Sequence, residues 1–331
     1  MIKRLSLQIG SLVLTVLLFA GFNASIYCLL TRRLSGNFSD TSQAKMVDVA
    51  SYLPFEEGSR LARIQTSFSL SGDLPVLDGA AALVPVYASV IDAVYPAGCV
   101  TYEGGTFSDD NYYGENFAPD SKMQYKNTVR GYRAVVDGET DVFFCAAPSA
   151  EQTAYAESRG VELVFVPVGL EAFVFFTNAS NPVEGLTTAQ IRDIYAGKIR
   201  NWSEVGGADR IINPLTRLSG SGSQSAMEAF MADTPLGPKS PLALFGGSIG
   251  FSFRFYLNDM VANAGVKMLS VNGVYPDKPS IRSGTYPIVT QFFAAYRADN
   301  NNENIPRLIE WLLSDEGQRL IEECGYISLE R

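Results

Sequence analysis

The alternation of apolar and polar positions predicts strands and helices that follow one another through most of the chain. From Asp73 onward, short apolar runs typical of buried strands are separated by segments in which apolar residues recur every three or four positions. The clearest of these helices covers residues 81–94. Its apolar face consists of Leu83, Val86, Tyr87, Val90 and Val94.

The predicted elements form one α/β pattern. The predicted strands are 74–77, 142–145, 161–168, 211–215, 248–255, 267–271 and 287–296, and residues 172–177 are a further apolar run rich in aromatic residues. The predicted helices are 81–94, 128–137, 151–159, 186–195, a helix that starts at 226–231, and the pair 305–313 and 316–324. Residues 101–122, rich in Tyr, Gly, Asp and Asn, and the Pro/Gly-rich residues after 271 are expected to be loops. Strands that alternate with helices indicate an α/β fold built on a sheet.

Length and composition narrow the class of protein. The chain has 331 residues, of which 47% are hydrophobic, and this length suggests about two domains. The net charge of −9 argues against a nucleic-acid partner, because such proteins present basic surfaces.

The chain contains no histidine. This absence excludes Ser-His-Asp and Cys-His catalysis and histidine-containing zinc sites. The four cysteines stand at positions 28, 99, 145 and 324 and form no CxxC pair. We therefore expect no metal, no cofactor and no catalytic residue, and Cys145 is expected to be a small core residue.

Residues 1–33 have the pattern of a membrane-targeting segment. Basic pairs at 3–4 and 32–33 flank a mostly apolar stretch, 5–30, which is long enough to span a bilayer as a helix. Phe22 and Asn23 fit poorly at the third position before a cut near Ser25. We predict an N-terminal hydrophobic helix that remains as a membrane anchor, with a cleaved signal as the alternative. The acidic remainder would then lie outside the cytoplasm.

Residues 34–72 form a polar, mixed stretch with weak periodicity. They are interpreted as a linker next to the membrane or as an extension packed on the main body.

The segment 217–225 contains the best candidate for a binding site. Gly220 and Gly222 allow successive backbone N–H groups to point into one concavity. The hydroxyls of Ser221 and Ser223 and the start of the following helix add favourable interactions with an anion. Arg217 supplies a planar fork that suits two oxygens of an oxyanion. A flexible Ser/Gly turn without a ligand is the alternative.

Two other helix starts are candidates of the same kind. The segment 78–82, Asp-Gly-Ala-Ala-Ala, lies between a strand and a helix and presents N–H groups without a side-chain hydroxyl. Asn127 and Thr128 precede the next helix. An ordinary helix start and a plain N-cap are the alternatives for these two segments.

Several segments resemble phosphate-binding proteins of ABC importers, which are periplasmic-binding-protein-like receptors. The resemblance covers about residues 73–330, and the part from Leu186 to Gly207 with the Ser/Gly loop behind it is the most specific. The matching segments are 78–87, 138–144 with Pro148 and Ser149, 171–176, 186–207, 217–223, 249–253 and 311–318.

The resemblance implies a two-lobed α/β fold of type II. One lobe would consist of residues 73–169 and 286–331, and the other of residues 170–285. The implied ligand-binding residues are Ala81, Ala82, Thr128, Arg217, Ser219, Ser221, Gly222 and Ser223. The implied function is capture of inorganic phosphate by a monomeric extracytoplasmic receptor that delivers it to an ABC permease.

The sequence departs from the family at two positions. Ala81 stands where the family has a Thr, and Ala146 stands where well-known members have an Asp that accepts the proton of monohydrogen phosphate. Each lost hydrogen bond to a charged ligand is worth about 1.5–3 kcal/mol. These departures keep two alternatives open, a receptor for another oxyanion such as sulfate or molybdate and a degenerate receptor that binds a partner instead. A phosphatase is disfavoured, because the chain lacks histidine, a metal-ligand cluster and an activated nucleophile.

Overall fold

The computed structural model describes residues 48–104, 116–217, 221–238, 246–261 and 265–329. The predicted N-terminal helix, residues 34–47 and the candidate ligand residue Ser219 lie outside these ranges. Within them, no helix combines the length and the apolar character that crossing a membrane requires.

The strands and helices follow the predicted α/β order. The strands are β1 Leu77–Gly79, β2 Tyr102–Gly104, β3 Asn116–Phe117, β4 Val142–Ala146, β5 Leu163–Asn178, β6 Gly185–Leu186, β7 Ile212–Pro214, β8 Gly247–Phe253, β9 Val266–Met268, β10 Ser270–Val271 and β11 Val289–Arg297. The α-helices are α1 Val84–Val94, α2 Asn127–Asp137, α3 Ala150–Ser158, α4 Thr188–Tyr195, α5 Gly222–Met231, α6 Lys278–Arg282, α7 Asn304–Leu313 and α8 Asp315–Glu323. The 3₁₀ turns are Val49–Tyr52, Ala81–Leu83 and Trp202–Val205, and Tyr256–Val261 is π-helical.

The main sheet has the strand order β1-β4-β11-β5-β8-β7, with β9 also paired to β5. Strand β5 belongs to two halves of this sheet. Residues 163–172 of β5 pair with β11, whereas residues 173–178 pair with β8 and β9. The polypeptide therefore crosses from one half of the sheet to the other within β5, close to Ala172.

The strand predicted at 161–168 and the apolar run at 172–177 form one continuous strand, β5. The interruption that the sequence suggested is a register shift in the pairing with β11, where Phe292 lies opposite Gly169 and Phe293 opposite Pro167. Proline has no N–H to donate to the ladder, so an irregularity at this point is expected. A Cβ on Gly169 would lie 2.5 Å from the ring of Phe292, so glycine leaves the room that this ring occupies.

Helix starts agree well with the sequence patterns. Thr187 caps α4 and Ser149 caps α3, and each forms a reciprocal capping box with a Gln three residues later. Helix α6 lies in a segment that was predicted to be a loop; Asp277 caps it and Pro279 lies in its first turn. Strands β2 and β3 lie in the segment 101–122, which was also predicted to be a loop.

Aromatic side chains fill the core around the second half of β5. The rings of Phe173 and Phe251 lie 5.6 Å apart, and those of Phe175 and Tyr195 lie 6.1 Å apart. Cys145 is buried in the other half of the molecule, in a cluster that includes Tyr132 and Val135. Burial removes the thiol of Cys145 from water and disfavours the charged thiolate, which raises the pKa of this thiol to about 12.

The described part of the N-terminal extension, residues 48–73, packs on the main body. Its backbone N–H at Phe55 donates to Asp92 on α1 at 2.7 Å, and the N–H of Leu70 donates to the carbonyl of Val94 at 2.8 Å. The ring of Phe68 stacks on that of Trp311 on α7 at 5.9 Å. The extension therefore contacts both α1 and α7.

Candidate functional site

The first candidate segment lies at the carboxyl end of β1. Strand β1 runs parallel to β4, and the N–H of Ala80 donates to the carbonyl of Phe144 at 2.8 Å, which holds the loop against β4. Ala81 and Ala82 open a 3₁₀ turn that leads into α1. The first N–H groups of such a turn have no acceptor within it and can bind an anion. Ala81 is nearly buried and Ala82 is partly exposed, and neither offers a hydroxyl.

The second candidate segment is the start of α2. This helix begins at Asn127, one residue before the predicted start. Asn127 is buried with a φ of 59°, in the left-handed region, and its Oδ1 accepts from the N–H of Thr128 at 2.6 Å. Thr128 is half-buried at this end of the helix, and its hydroxyl donates to Oδ1 of Asn127 at 3.3 Å.

Asp78 joins these two segments. Its Oδ1 accepts from the N–H of Gly79 at 2.7 Å and from the N–H of Lys126, the N-cap residue of α2, at 3.1 Å. The side chain is 0% exposed, and Oδ2 has no hydrogen-bond partner among the described residues. Burial raises the pKa of this carboxyl to about 6, although the two backbone N–H groups and the charge of Lys126 act in the opposite direction.

Sequence reasoning named Asp78 only as part of a loop motif and gave it no role. The signal that could have revealed it is an acidic residue at the end of an apolar strand and directly before a glycine.

The third candidate segment surrounds the start of α5. The N–H of Arg217 donates to Oε1 of Gln224 on α5 at 3.0 Å, which ties Arg217 to the helix. Ser221 is the N-cap and accepts from the N–H of Gln224 at 3.3 Å, while Gly222 and Ser223 form the first turn. Helix α5 thus begins four residues earlier than the prediction of 226. Arg217, Ser221, Gly222 and Ser223 lie together at one helix start.

Three consecutive residues after β8 connect this helix start with the first loop. The guanidinium of Arg217 hydrogen-bonds the hydroxyl of Tyr256; burial raises the pKa of this hydroxyl, and Arg217 partly offsets the effect. The ring of Phe255 lies 4.5 Å from that of Tyr326. The hydroxyl of Tyr326 donates to the carbonyl of Ala82. Arg217 and Ala82 are therefore linked through Tyr256, Phe255 and Tyr326, which sequence reasoning did not single out.

The first of the three residues, Arg254, forms a buried ion pair. Its Nε lies 3.7 Å from Oε1 of Glu171, and the two side chains are 8% and 4% exposed. Glu171 lies in β5 next to the point where the strand changes partners, and its Oε2 accepts from the N–H of Phe255 at 3.2 Å. Arg254 also donates from Nη2 to the carbonyl of Gly325 at 2.7 Å. The crossover between the two halves of the sheet is thus fixed by charge-assisted hydrogen bonds.

Ala146 is the residue that stands where the resemblance implies an aspartate. Ala146 ends β4 and is half-buried, so no carboxylate projects from that strand end. Asp78 lies on the adjacent strand, where it pairs with Phe143 of β4. Among the described residues, no group of three or more acidic or cysteine side chains could hold a metal ion.

These features suit a small anion. Helix and turn starts at Ala81, Thr128 and Ser221 supply N–H groups, and Arg217 supplies a full positive charge. A tetrahedral oxyanion has acceptor oxygens in several directions, so donors of these two kinds suit it.

Sequence comparison relates the chain to the PBP superfamily and to phosphate-binding proteins. The family described as the PBP superfamily domain matches residues 110–316. Phosphate-binding protein PstS of Borreliella burgdorferi is 28% identical over 192 residues, which cover 52% of this chain and 67% of that protein. Phosphate-binding protein PstS of Bacillus subtilis is 24% identical over 230 residues, covering 66% and 74%. Protein SphX of Synechococcus elongatus is 23% identical over 295 residues, covering 77% and 86%.

Structural comparison confirms the predicted α/β, two-lobed fold. A protein from Clostridium perfringens, crystallised with bound phosphate, superposes with a TM-score of 0.54 at 20% identity and covers 77% of this chain and 98% of that one. An ABC-type phosphate transport receptor from Vibrio cholerae superposes with a TM-score of 0.51 at 20% identity, covering 76% and 99%.

Proposed function

Since the chain belongs to the PBP superfamily, we propose that it is an extracytoplasmic receptor that captures inorganic phosphate between two lobes and delivers it to an ABC permease. The observation that supports this proposal is the presence of three helix or turn starts and of Arg217 at the start of α5, in a protein whose relatives include phosphate-binding proteins. Ligand binding would draw the lobes together, and the closed form would be the one that the permease recognises.

We propose the two lobes that the family resemblance implies. One would be formed by residues 73–169 and 286–331 and the other by residues 170–285. The change of partners within β5 supports the first boundary, and the start of β11 at Val289 supports the second. Phosphate would lie in the cleft, with Ala81, Ala82 and Thr128 on one wall and Arg217, Ser219, Ser221, Gly222 and Ser223 on the other.

The proposed activity is binding without covalent chemistry. The donors named above stabilise an anion, and nothing in the proposal requires a nucleophile. The protein would act as a monomer, with residues 1–33 as its membrane anchor.

A degenerate receptor that binds a partner is the second candidate. The observation that favours it is the alanine at both 81 and 146, which removes a hydroxyl and a carboxylate from the expected ligand set. Two lost hydrogen bonds to a charged ligand could weaken phosphate binding by roughly a hundredfold or more.

Isothermal titration of the full chain in mild detergent with phosphate separates the two candidates. We expect saturable binding that Arg217→Ala removes, because the guanidinium is the only full positive charge assigned to the site. Arg210→Ala is the matched control, because Arg210 is an exposed arginine in the same predicted lobe that contributes nothing to the proposed site. Absence of binding to phosphate and to sulfate would favour the degenerate receptor, whereas equal loss in both variants would argue against the assigned site.

A further inference from the structure

Arg217 and Tyr256 lie at the same edge of the main sheet. Strands β7 and β8 are parallel neighbours, with Pro214 opposite Ile249. Arg217 follows the end of β7 by three residues, and Tyr256 follows the end of β8 by three. The carboxyl ends of parallel strands lie on one side of a sheet, and ligands of open α/β sheets bind there. The topology therefore brings Tyr256 to the charged group of the proposed site.

The side chain of Arg217 is held less firmly by its own helix than its backbone is. The backbone N–H of Arg217 donates to Oε1 of Gln224 on α5 at 3.0 Å. This bond fixes the beginning of the side chain but not its end, because several rotatable bonds separate the guanidinium from the backbone. A half-buried guanidinium that binds two oxygens of an anion with its planar fork gains from a second point of attachment.

The hydroxyl of Tyr256 supplies this second attachment. A guanidinium N–H of Arg217 donates and the phenol oxygen accepts, since arginine has no acceptor of its own. Burial raises the pKa of this hydroxyl above its ordinary value of 10.0, so the group is uncharged at neutral pH. Tyr256 therefore restrains the guanidinium without neutralising its positive charge, whereas a carboxylate partner would neutralise it.

Tyr256 is itself held from both sides along the chain. The backbone N–H of Phe255 donates to Oε2 of Glu171 at 3.2 Å, and the ring of Phe255 lies 4.5 Å from that of Tyr326. On the other side, Leu257 is buried in the core around the second half of β5. Tyr256 also begins the π-helical segment, a rare conformation that often occurs at functional sites. Its hydroxyl is therefore a fixed point against which a longer side chain can be oriented.

Resting on the proposed function, we infer that Tyr256 is a positioning residue, which holds the guanidinium of Arg217 in the orientation that binds the anion. Without this bond, the guanidinium would occupy several rotamers in the ligand-free protein, and binding would have to restrict it to one. Immobilising one such side chain typically lowers affinity roughly two- to tenfold. The hydrogen bond to Tyr256 removes this loss before the ligand arrives.

Isothermal titration of the full chain in mild detergent with phosphate tests this role. Tyr256→Phe keeps the ring and removes the acceptor, so we expect its affinity to fall roughly two- to tenfold. Tyr195→Phe is the matched control. The hydroxyl of Tyr195 donates to the carbonyl of Ile249 at 3.3 Å in the core around the second half of β5, and it is not placed in the site. The control should keep the affinity of the wild type.

Nuclear magnetic resonance of isotope-labelled arginine side chains gives a readout that a merely structural role would not change. The guanidinium N–H signal of Arg217 is identified by its absence in Arg217→Ala. In the ligand-free wild type this N–H should exchange slowly with water, because it is bonded to Tyr256. The exchange should be severalfold faster in Tyr256→Phe and unchanged in Tyr195→Phe.

The outcomes separate this role from the proposed function. Fast exchange of the Arg217 N–H already in the wild type would overturn the role of Tyr256 without any variant. The same follows from an unchanged affinity in Tyr256→Phe, from an equal loss in Tyr195→Phe, or from a loss of affinity without faster exchange. Each of these results leaves the proposed function intact as long as the wild type binds phosphate. Absence of phosphate binding by the wild type would overturn both.

Discussion

The hydroxyl of Tyr326, close to the C-terminus, donates a hydrogen bond to the carbonyl oxygen of Ala82 in the first loop. Tyr326 is 1% exposed, and its ring lies 4.5 Å from that of Phe255 and 5.0 Å from that of Phe292. The end of the chain therefore holds the turn whose N–H groups are assigned to the ligand. Phe255 lies between Arg254, which pairs with Glu171 at the crossover, and Tyr256, which bonds Arg217. The ring contact between Tyr326 and Phe255 therefore connects the turn with both of these interactions.

Replacement of Tyr326 by Phe should weaken phosphate binding while the fold is retained. The variant keeps the ring contacts but leaves the carbonyl of Ala82 without this donor, so the turn is held less firmly. We expect a loss of affinity of roughly fivefold, equivalent to about 1 kcal/mol, in isothermal titration.

Tyr286→Phe is the matched control for this prediction. The hydroxyl of Tyr286 donates to the carbonyl of Phe173 at 3.0 Å, in the core around the second half of β5. The control should lose a similar amount of stability and keep its affinity. Equal affinities in the two variants would show that Tyr326 does not position the turn.

The buried pair of Glu171 and Arg254 should contribute strongly to stability. Glu171→Ala leaves the guanidinium of Arg254 buried without its carboxylate, and removal of one partner of a buried pair typically costs about 3–5 kcal/mol. The free energy of unfolding in urea measures this loss. Lys198→Ala breaks the exposed pair with Asp193 and should cost at most about 1 kcal/mol. A similarly small loss for Glu171→Ala would mean that water reaches the crossover.

The order of elements could be predicted from the sequence because it depends on local periodicity and capping residues. Thr187, Ser149 and the apolar face of 81–94 each act within a few positions along the chain, so their consequences are visible locally. The continuity of β5 depends instead on pairing with β11, more than a hundred residues later, which supports the strand through Pro167 and Gly169.

The parts of the site that the sequence did not reveal also depend on distant contacts. The environment of Asp78 depends on its burial and on the N–H of Lys126. The position of Tyr326 depends on a bond to Ala82, which lies 244 residues earlier in the chain. No spacing rule connects such residues. The candidate anion-binding segments themselves could be proposed from the sequence, because a helix start with Gly or Ser presents N–H groups and hydroxyls that depend only on local residues.

The interactions of Glu322 with Ser328 and Arg282 should weaken at low pH. Glu322 accepts from the N–H and the hydroxyl of Ser328 at 3.0 and 2.7 Å, and it pairs with Arg282. Burial opposes ionisation of Glu322, but these interactions outweigh it and lower the pKa to about 2, below the ordinary 4.5. The stabilisation is therefore complete above the unfolded-state pKa and is lost as the pH falls from there toward about 2.

Thermal unfolding as a function of pH measures this effect. Glu322→Gln should have a lower Tm than the wild type near neutral pH, and the difference should shrink as the medium becomes acidic. A difference that stays constant down to strongly acidic pH would contradict the assignment of the effect to the charge of Glu322.

Asp78 should reduce the stability of the ligand-free protein at neutral pH. The folded-state pKa of about 6 lies above the ordinary 3.8, so the folded protein holds the proton more tightly than the unfolded chain does. Stability is then highest below the unfolded-state pKa and falls as the pH rises through the folded-state pKa, by an amount on the order of 3 kcal/mol. Asp78→Asn is neutral and lacks this pH-dependent loss, so its unfolding free energy relative to the wild type should increase between about pH 4 and about pH 7. Asp141→Asn should instead be less stable than the wild type, because both oxygens of Asp141 accept hydrogen bonds, from Val76 and from Asn300, and an amide nitrogen would face one of the donors. If Asp78→Asn and the wild type lose stability in parallel over this range, the ionisation of Asp78 does not cause the loss. Oδ2 would then have a hydrogen-bond partner in solution.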